Sequence, residues 1–155
     1  MSKRTKKTVS GRGKRIGIVV SRFNDFVTKR LLAGCLKELA ILGVKKERLT
    51  VVWVPGSLEI PVAALKLAQK KSIDAVICLG AVIRGETLHF ELVCYGATHG
   101  ITQAGLLTGK PIIFGVLSTD TVAQAQKRSQ DKGENKGREA AVTAVEMIDV
   151  LSQLR

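Results

Sequence analysis

The sequence predicts an α/β fold, a three-layer αβα sandwich built on a four-stranded parallel sheet. Four short apolar runs alternate with segments of helical periodicity. The runs are apolar on both faces, as strands must be when helices cover each side of their sheet. With 155 residues and 45% hydrophobic content, the chain has enough apolar surface for one sizeable core and too little length for several domains.

Residues 15–21 (RIGIVVS) form the first β-branched run. Across residues 24–43, Val27, Leu31, Leu32, Cys35, Leu39 and Leu42 recur at helical spacing. Asn24 and Asp25 suit the start of that helix, and Gly43 suits the left-handed residue that ends it. Residues 49–54 (LTVVWV) are the second strand, closed by Pro55 and Gly56. Residues 58–71 read as a helix in which Pro61 is tolerated only in the first turn, where its missing N–H costs nothing, so the helix starts near Leu58 to Ile60. Residues 74–83 (DAVICLGAVI) are a nearly continuous apolar strand, after which Arg84-Gly85 opens a longer helical stretch to about Leu107. The fourth strand spans Pro111 to Ser118. Thr119 or Asp120 is the expected N-cap of a helix reaching about Gln130. A final helix runs from about Asn135 to Leu151, with Ala141, Val145, Ile148 and Leu151 on one face.

The formal charge of +12 is unevenly spread: residues 1–15 hold seven bases and no acid, which leaves +5 for residues 16–155. Residues 1–14 are therefore expected to be a disordered basic tail, and residues 15–155 the folded domain. An aromatic content of 4% argues against a surface that stacks single-stranded bases, so nucleic acid is expected to bind only nonspecifically, through the tail. The longest apolar stretch, Ala75 to Ile83, falls far short of the roughly 20 residues that cross a bilayer, and no apolar signal region follows the basic start. The chain reads as cytoplasmic. Cys35, Cys78 and Cys94 are widely spaced among apolar neighbours and read as reduced core thiols, without the spacing of a metal site.

Ligands of such sheets bind beyond the carboxyl ends of the strands. After the first strand stands Ser21-Arg22-Phe23-Asn24, not the glycine-rich turn that a dinucleotide needs. Phe23 reads first as a hydrophobic staple on the following helix. After the second strand, Ser57 and Glu59 fall at a helix start, as simple caps or as a polar clamp for a heterocycle or polyol. After the third, a glycine turn opens a helix whose first amides could hold an anion, with His89 about one turn away and able to exchange protons near neutral pH. His99 is given no role. Phe114 lies in the fourth strand. The basic stretch 127–138, with Arg128 and Lys136, is either a solvated face or the source of one arginine for a phosphate.

Five motifs in register then make a pattern. Ser21-Arg22-Phe23-Asn24, Pro55-Gly56-Ser57-Leu58-Glu59-Ile60-Pro61, Gly80 through Phe90 (GAVIRGETLHF), Phe114-Gly115-Val116-Leu117 and Asn135-Lys136-Gly137 resemble the 6,7-dimethyl-8-ribityllumazine synthase family of riboflavin biosynthesis, over roughly residues 15–155. The resemblance implies a flavodoxin-like fold and a transferase that condenses 5-amino-6-(D-ribitylamino)uracil with 3,4-dihydroxy-2-butanone 4-phosphate, without metal or other cofactor. It implies that Phe23 stacks on the pyrimidine, that Ser57, Leu58 and Glu59 meet the ribityl chain, and that Ala81, Val82 and Ile83 meet the pyrimidine through backbone groups. Glu86, Thr87 and Arg128 would hold the phosphate, His89 would transfer protons, and Phe114 and Lys136 would complete the pocket. The resemblance places that pocket between subunits of a homo-oligomer, with Phe114 and Arg128 from one and His89 from the other; the assembly is a pentamer at least and in some members a shell of twelve pentamers. The short connection from Arg128 to Asn135 favours the shell, although Ser129 to Glu134 departs from the usual glycine pattern.

Overall fold

The computed structural model describes residues 8–155. Residues 1–7, the first half of the expected tail, lie outside the described residues. The four apolar runs become β1 (Ile16–Ser21), β2 (Leu49–Val54), β3 (Ala75–Ile83) and β4 (Ile112–Thr119). They pair in parallel in the order β2-β1-β3-β4, the doubly wound arrangement of the flavodoxin-like fold. The helices are α1 (Asp25–Ile41), α2 (Ile60–Ala68), α3 (His89–Thr108), α4 (Val122–Lys127) and α5 (Lys136–Ser152).

Strand periodicity sorts the core into two layers. Ile16, Ile18 and Val20 of β1 and Ile77 and Leu79 of β3 pack with Val27, Leu31 and Leu39 of α1 and Ala141 and Val145 of α5. The intervening Val19, Val76 and Cys78 pack on the other face with Ile60, Ala64 and Leu67 of α2 and Val93 and Ile101 of α3. Burial on both faces holds for β1 and β3. The edge strands differ: Thr50, Val51 and Trp53 of β2 and Phe114 of β4 are exposed, because nothing among the described residues covers their outer sides.

Several boundaries move for local reasons. Residues 8–14 are not a free tail: the Gly11 N–H donates to the Leu42 carbonyl at 2.7 Å, and the Lys14 ammonium meets Asp149 at 2.6 Å. A Cβ on Gly11 would stand 2.3 Å from Val44 Cγ2, so glycine is what lets this segment lie against the domain. The second helix opens with a 3₁₀ turn at Ser57–Glu59, carries Pro61 in its first turn as expected, and ends at Ala68. The third helix begins at His89 and not at Gly85, because Arg84 first extends the ladder, its N–H donating to the Thr119 carbonyl at 2.8 Å. The α4 cap is Thr121, not Thr119 or Asp120: its hydroxyl accepts from Gln124 N–H at 3.1 Å while the Gln124 side chain accepts from the Asp120 and Thr121 N–H groups, a reciprocal box. The same helix ends at Lys127, short of Gln130. There the chain turns back, with the Gln130 N–H donating to the Glu134 carbonyl and the Lys136 N–H to the Arg128 carbonyl, both at 2.9 Å.

Asn135 closes that turn. It is buried, accepts the Arg138 N–H at 3.1 Å as the α5 cap, and donates to the Gln130 and Arg30 carbonyls. Next to it α5 touches the backbone of α1: a Cβ on Gly137 would lie 2.0 Å from the Leu31 carbonyl oxygen.

Candidate functional site

The carboxyl ends of β1, β2 and β3 converge on a cavity of about 500 Å³, within the range that takes small organic ligands. Its walls include Phe23 from the β1 end, Ser57, Leu58 and Glu59 from the β2 end, and Ala81, Val82, Ile83, Thr87 and His89 from the β3 end. Pairing of β3 with β1 stops at Leu79 opposite Val20, whereas β3 stays paired with β4 as far as Ile83. Beyond Leu79 the β1-facing backbone edge of β3 has no strand partner beside the cavity.

Phe23 is not a staple. Its ring is 71% exposed, and its N–H is fixed by the Pro55 carbonyl at 3.0 Å. The following Asn24 takes the left-handed conformation (φ 58°), which sets the direction of the turn, and its side chain donates to the Ala81 carbonyl at 2.9 Å instead of capping α1. Asn24 thus ties the β1 end to the β3 end. Below it, Gly80 makes the floor possible: a Cβ there would come within 2.8 Å of Ser57 Oγ and 3.2 Å of Ser21 Oγ. The Ser21 hydroxyl oxygen is buried without a partner.

The segment from Arg84 to Leu88 is held from outside the cavity. The Arg84 guanidinium donates to Asp120 at 2.7 Å and to Glu91, and stacks over Phe90 at 4.2 Å from the ring centre. One side chain therefore links the β3 end, the first turn of α3 and the β4 end. The hydrogen bond from Arg84 holds the Glu91 carboxyl below the usual carboxylate range. Neither Arg84 nor Asn24 belongs to the expected site set; an arginine one residue past a strand and seven before a glutamate was the available signal. Thr87 accepts from the His89 N–H at 3.3 Å, and both side chains are exposed at the cavity. Glu86 is exposed and is not part of the cavity wall.

Phe114, Arg128 and Lys136 are gathered elsewhere. They line a second, open cavity of about 530 Å³ along β4 and α5. The backbone hydrogen bond between residues 128 and 136 sets the two cations side by side. Arg128 donates to the Gln124 carbonyl at 3.0 Å, and Lys136 is held by Glu139 at 2.8 Å and Glu134 at 3.4 Å, which raise its pKa, the Glu139 hydrogen bond most. Of the thirteen residues expected at the shared site, one chain brings nine to one cavity and three to another, and Glu86 lines neither.

The remaining chemistry-bearing groups lie apart. All three thiols are free; burial pushes Cys35 up to about 12 and Cys78 higher still, so neither is a nucleophile near neutral pH. His99 is exposed on α3 and lines no described cavity. Among the described residues no three His, Cys, Asp or Glu side chains cluster as a metal site, and no helix is long and apolar enough to cross a membrane.

The family model described as 6,7-dimethyl-8-ribityllumazine synthase matches residues 13–152. A 6,7-dimethyl-8-ribityllumazine synthase of Protochlamydia amoebophila is 52% identical over 140 residues, 90% of this chain and 81% of the relative. One from Leuconostoc mesenteroides is 44% identical over 149 residues, 96% of each chain. An order of strands, a cavity at their carboxyl ends and two close relatives thus agree: the chain belongs to the 6,7-dimethyl-8-ribityllumazine synthase family.

Proposed function

We propose that the chain condenses 5-amino-6-(D-ribitylamino)uracil with 3,4-dihydroxy-2-butanone 4-phosphate to form 6,7-dimethyl-8-ribityllumazine, phosphate and two molecules of water, the penultimate step of riboflavin biosynthesis, in the cytoplasm. The observation that carries this reading is the cavity joining an exposed aromatic ring, a β3 backbone edge without a strand partner and His89. Phe23 stacks on the pyrimidine, backbone groups of Ala81, Val82 and Ile83 meet its polar edge, and Ser57, Leu58 and Glu59 receive the ribityl chain. The aromatic amine adds to the ketone and water leaves, giving an imine. Loss of a carbon-bound proton expels phosphate, and the ribitylamino nitrogen closes the second ring on the remaining carbonyl with loss of water. These steps need orientation and proton transfer more than a strong nucleophile, which suits His89 as the shuttle.

Thr87, Glu86 and Arg128 serve the phosphate end, with Phe114 and Lys136 completing the pocket beside them. In this reading Phe114, Arg128 and Lys136 come from a neighbouring subunit, because within one chain they face a different cavity. Leu88, Leu92 and Tyr95, 75%, 67% and 74% exposed at helical spacing, supply an apolar stripe of the kind that subunit contacts cover. The assembly is a pentamer at least, and the short connection from Arg128 to Asn135 favours twelve pentamers in a shell.

Purified protein is expected to turn the two substrates into the fluorescent lumazine without added metal; a folded protein with no turnover would refute the assignment. His89→Ala should slow turnover about 10²-fold while binding of the uracil substrate persists, as measured by titration. Unchanged kinetics would remove His89 from the mechanism.

A further inference from the structure

We infer that the end of the sheet opposite the cavity is a docking surface for the phosphate backbone of a nucleic-acid double helix. Since all four strands are parallel, their amino-terminal ends lie together on one side of the molecule. Every one of those ends is preceded by bases. Arg12 and Arg15 stand before β1, and Lys45, Lys46 and Arg48 before β2. Lys70 and Lys71 stand before β3, and Lys110 before β4. Only Glu47 and Asp74 oppose them in these turns, so of the net +5 on residues 16–155, +4 sits in the turns before β2, β3 and β4.

Hydrogen bonds set the turns side by side. Arg48 donates to the Gly13 carbonyl at 3.1 Å, Asp74 accepts from the Arg15 N–H at 2.7 Å, and the Lys110 ammonium donates to the Lys70 carbonyl at 2.8 Å. With strands ~4.8 Å apart, the four strand starts make a row ~14 Å long. One strand of a duplex presents about four phosphates over that length. Lys14 is not in the row, its ammonium being taken by Asp149. Among the described residues, none of the other eight cations forms an ion pair, and all are exposed or half-exposed. Helix dipoles account for about one cation at each helix end, not for eight. No aromatic side chain stands in these turns to stack an unpaired base, which favours a duplex over a single strand. Lys3, Arg4, Lys6 and Lys7 precede these residues in the sequence and carry four positive charges of their own.

The test is the anisotropy of a labelled DNA duplex of ~20 base pairs titrated with the full-length protein between ~50 and ~200 mM salt, where four to five neutralised phosphates give a log–log slope of about −4. K45E/K46E/R48E is expected to weaken binding at least ~10-fold at the lower salt while leaving lumazine formation intact, since these side chains lie at the far end of the strands. K70E/K71E should act in the same direction and serves if the triple variant does not fold. Removing residues 1–7 should make the slope shallower without abolishing binding. Four results would overturn the proposal: no duplex binding at low salt, charge-reversed variants that bind like the parent, binding lost entirely with residues 1–7, or preference for a single strand or for anionic lipid vesicles.

Discussion

Gly137→Ala is expected to destabilise the fold by about 3 kcal/mol or more, from the addition of one methyl group. The new Cβ would lie 2.0 Å from the Leu31 carbonyl oxygen and 2.7 Å from its carbon. These are backbone atoms in the middle of α1, so no side-chain rotation relieves the overlap and the two helices must part. Parting them also strains Asn135, whose Oδ1 would be 3.0 Å from the same Cβ and whose amide holds the Arg30 and Gln130 carbonyls. For a chain of this length the loss corresponds to a fall of roughly 6–12 °C in the thermal midpoint. Gly85→Ala is the control: nothing lies within 4 Å of its added Cβ, and its midpoint should stay close to that of the parent. Equal midpoints for the two variants would show that α1 and α5 are not in backbone contact at this position.

The second large effect concerns catalysis. Arg128→Ala is expected to cost about 2 kcal/mol or more of transition-state stabilisation, read as a loss of ~30-fold or more in kcat/KM. A planar guanidinium offers a departing phosphate two parallel donors, and Lys136, set beside it by the turn through Asn135, supplies only a point charge. Arg128→Lys should therefore recover only part of the loss. In the structure Arg128 donates to a carbonyl of its own helix and belongs to no ion pair among the described residues, so its removal breaks no structural bridge. An unchanged kcat/KM with lower solubility would assign it to the solvated basic face instead.

The strands were readable because their physics is local and redundant: Leu49 to Val54 is bounded by charged residues on one side and Pro55-Gly56 on the other, and the boundary is the one observed. Pro61 likewise dated the start of α2 to within a turn. What escaped depends on partners distant in sequence. Arg84 looks like the first residue of a turn, yet its N–H extends the ladder to the Thr119 carbonyl, far along the chain, and α3 waits until His89. Gly11 looks like part of a solvated tail until Val44 is placed beneath it. The α4 cap expected at Thr119 or Asp120 falls instead at Thr121, where the Gln124 side chain completes the reciprocal box. At the site, the residues at the β1, β2 and β3 ends were legible as one group since parallel strands deliver their ends together. That Phe114 and Arg128 face away from His89 within one chain was implied by the family resemblance alone, because no spacing in one chain records which edge of a sheet is left open.

That division of the site has a consequence for mixtures. A His89→Ala chain keeps its Arg128 side intact, and an Arg128→Ala chain keeps its His89 side intact. If the working pocket forms across two subunits, co-refolding equal amounts of the two crippled chains should leave about a quarter of the interfaces with both sides whole. Two preparations that are each nearly inactive would then regain activity when assembled together. A pocket confined to one chain would show no such rescue at any mixing ratio.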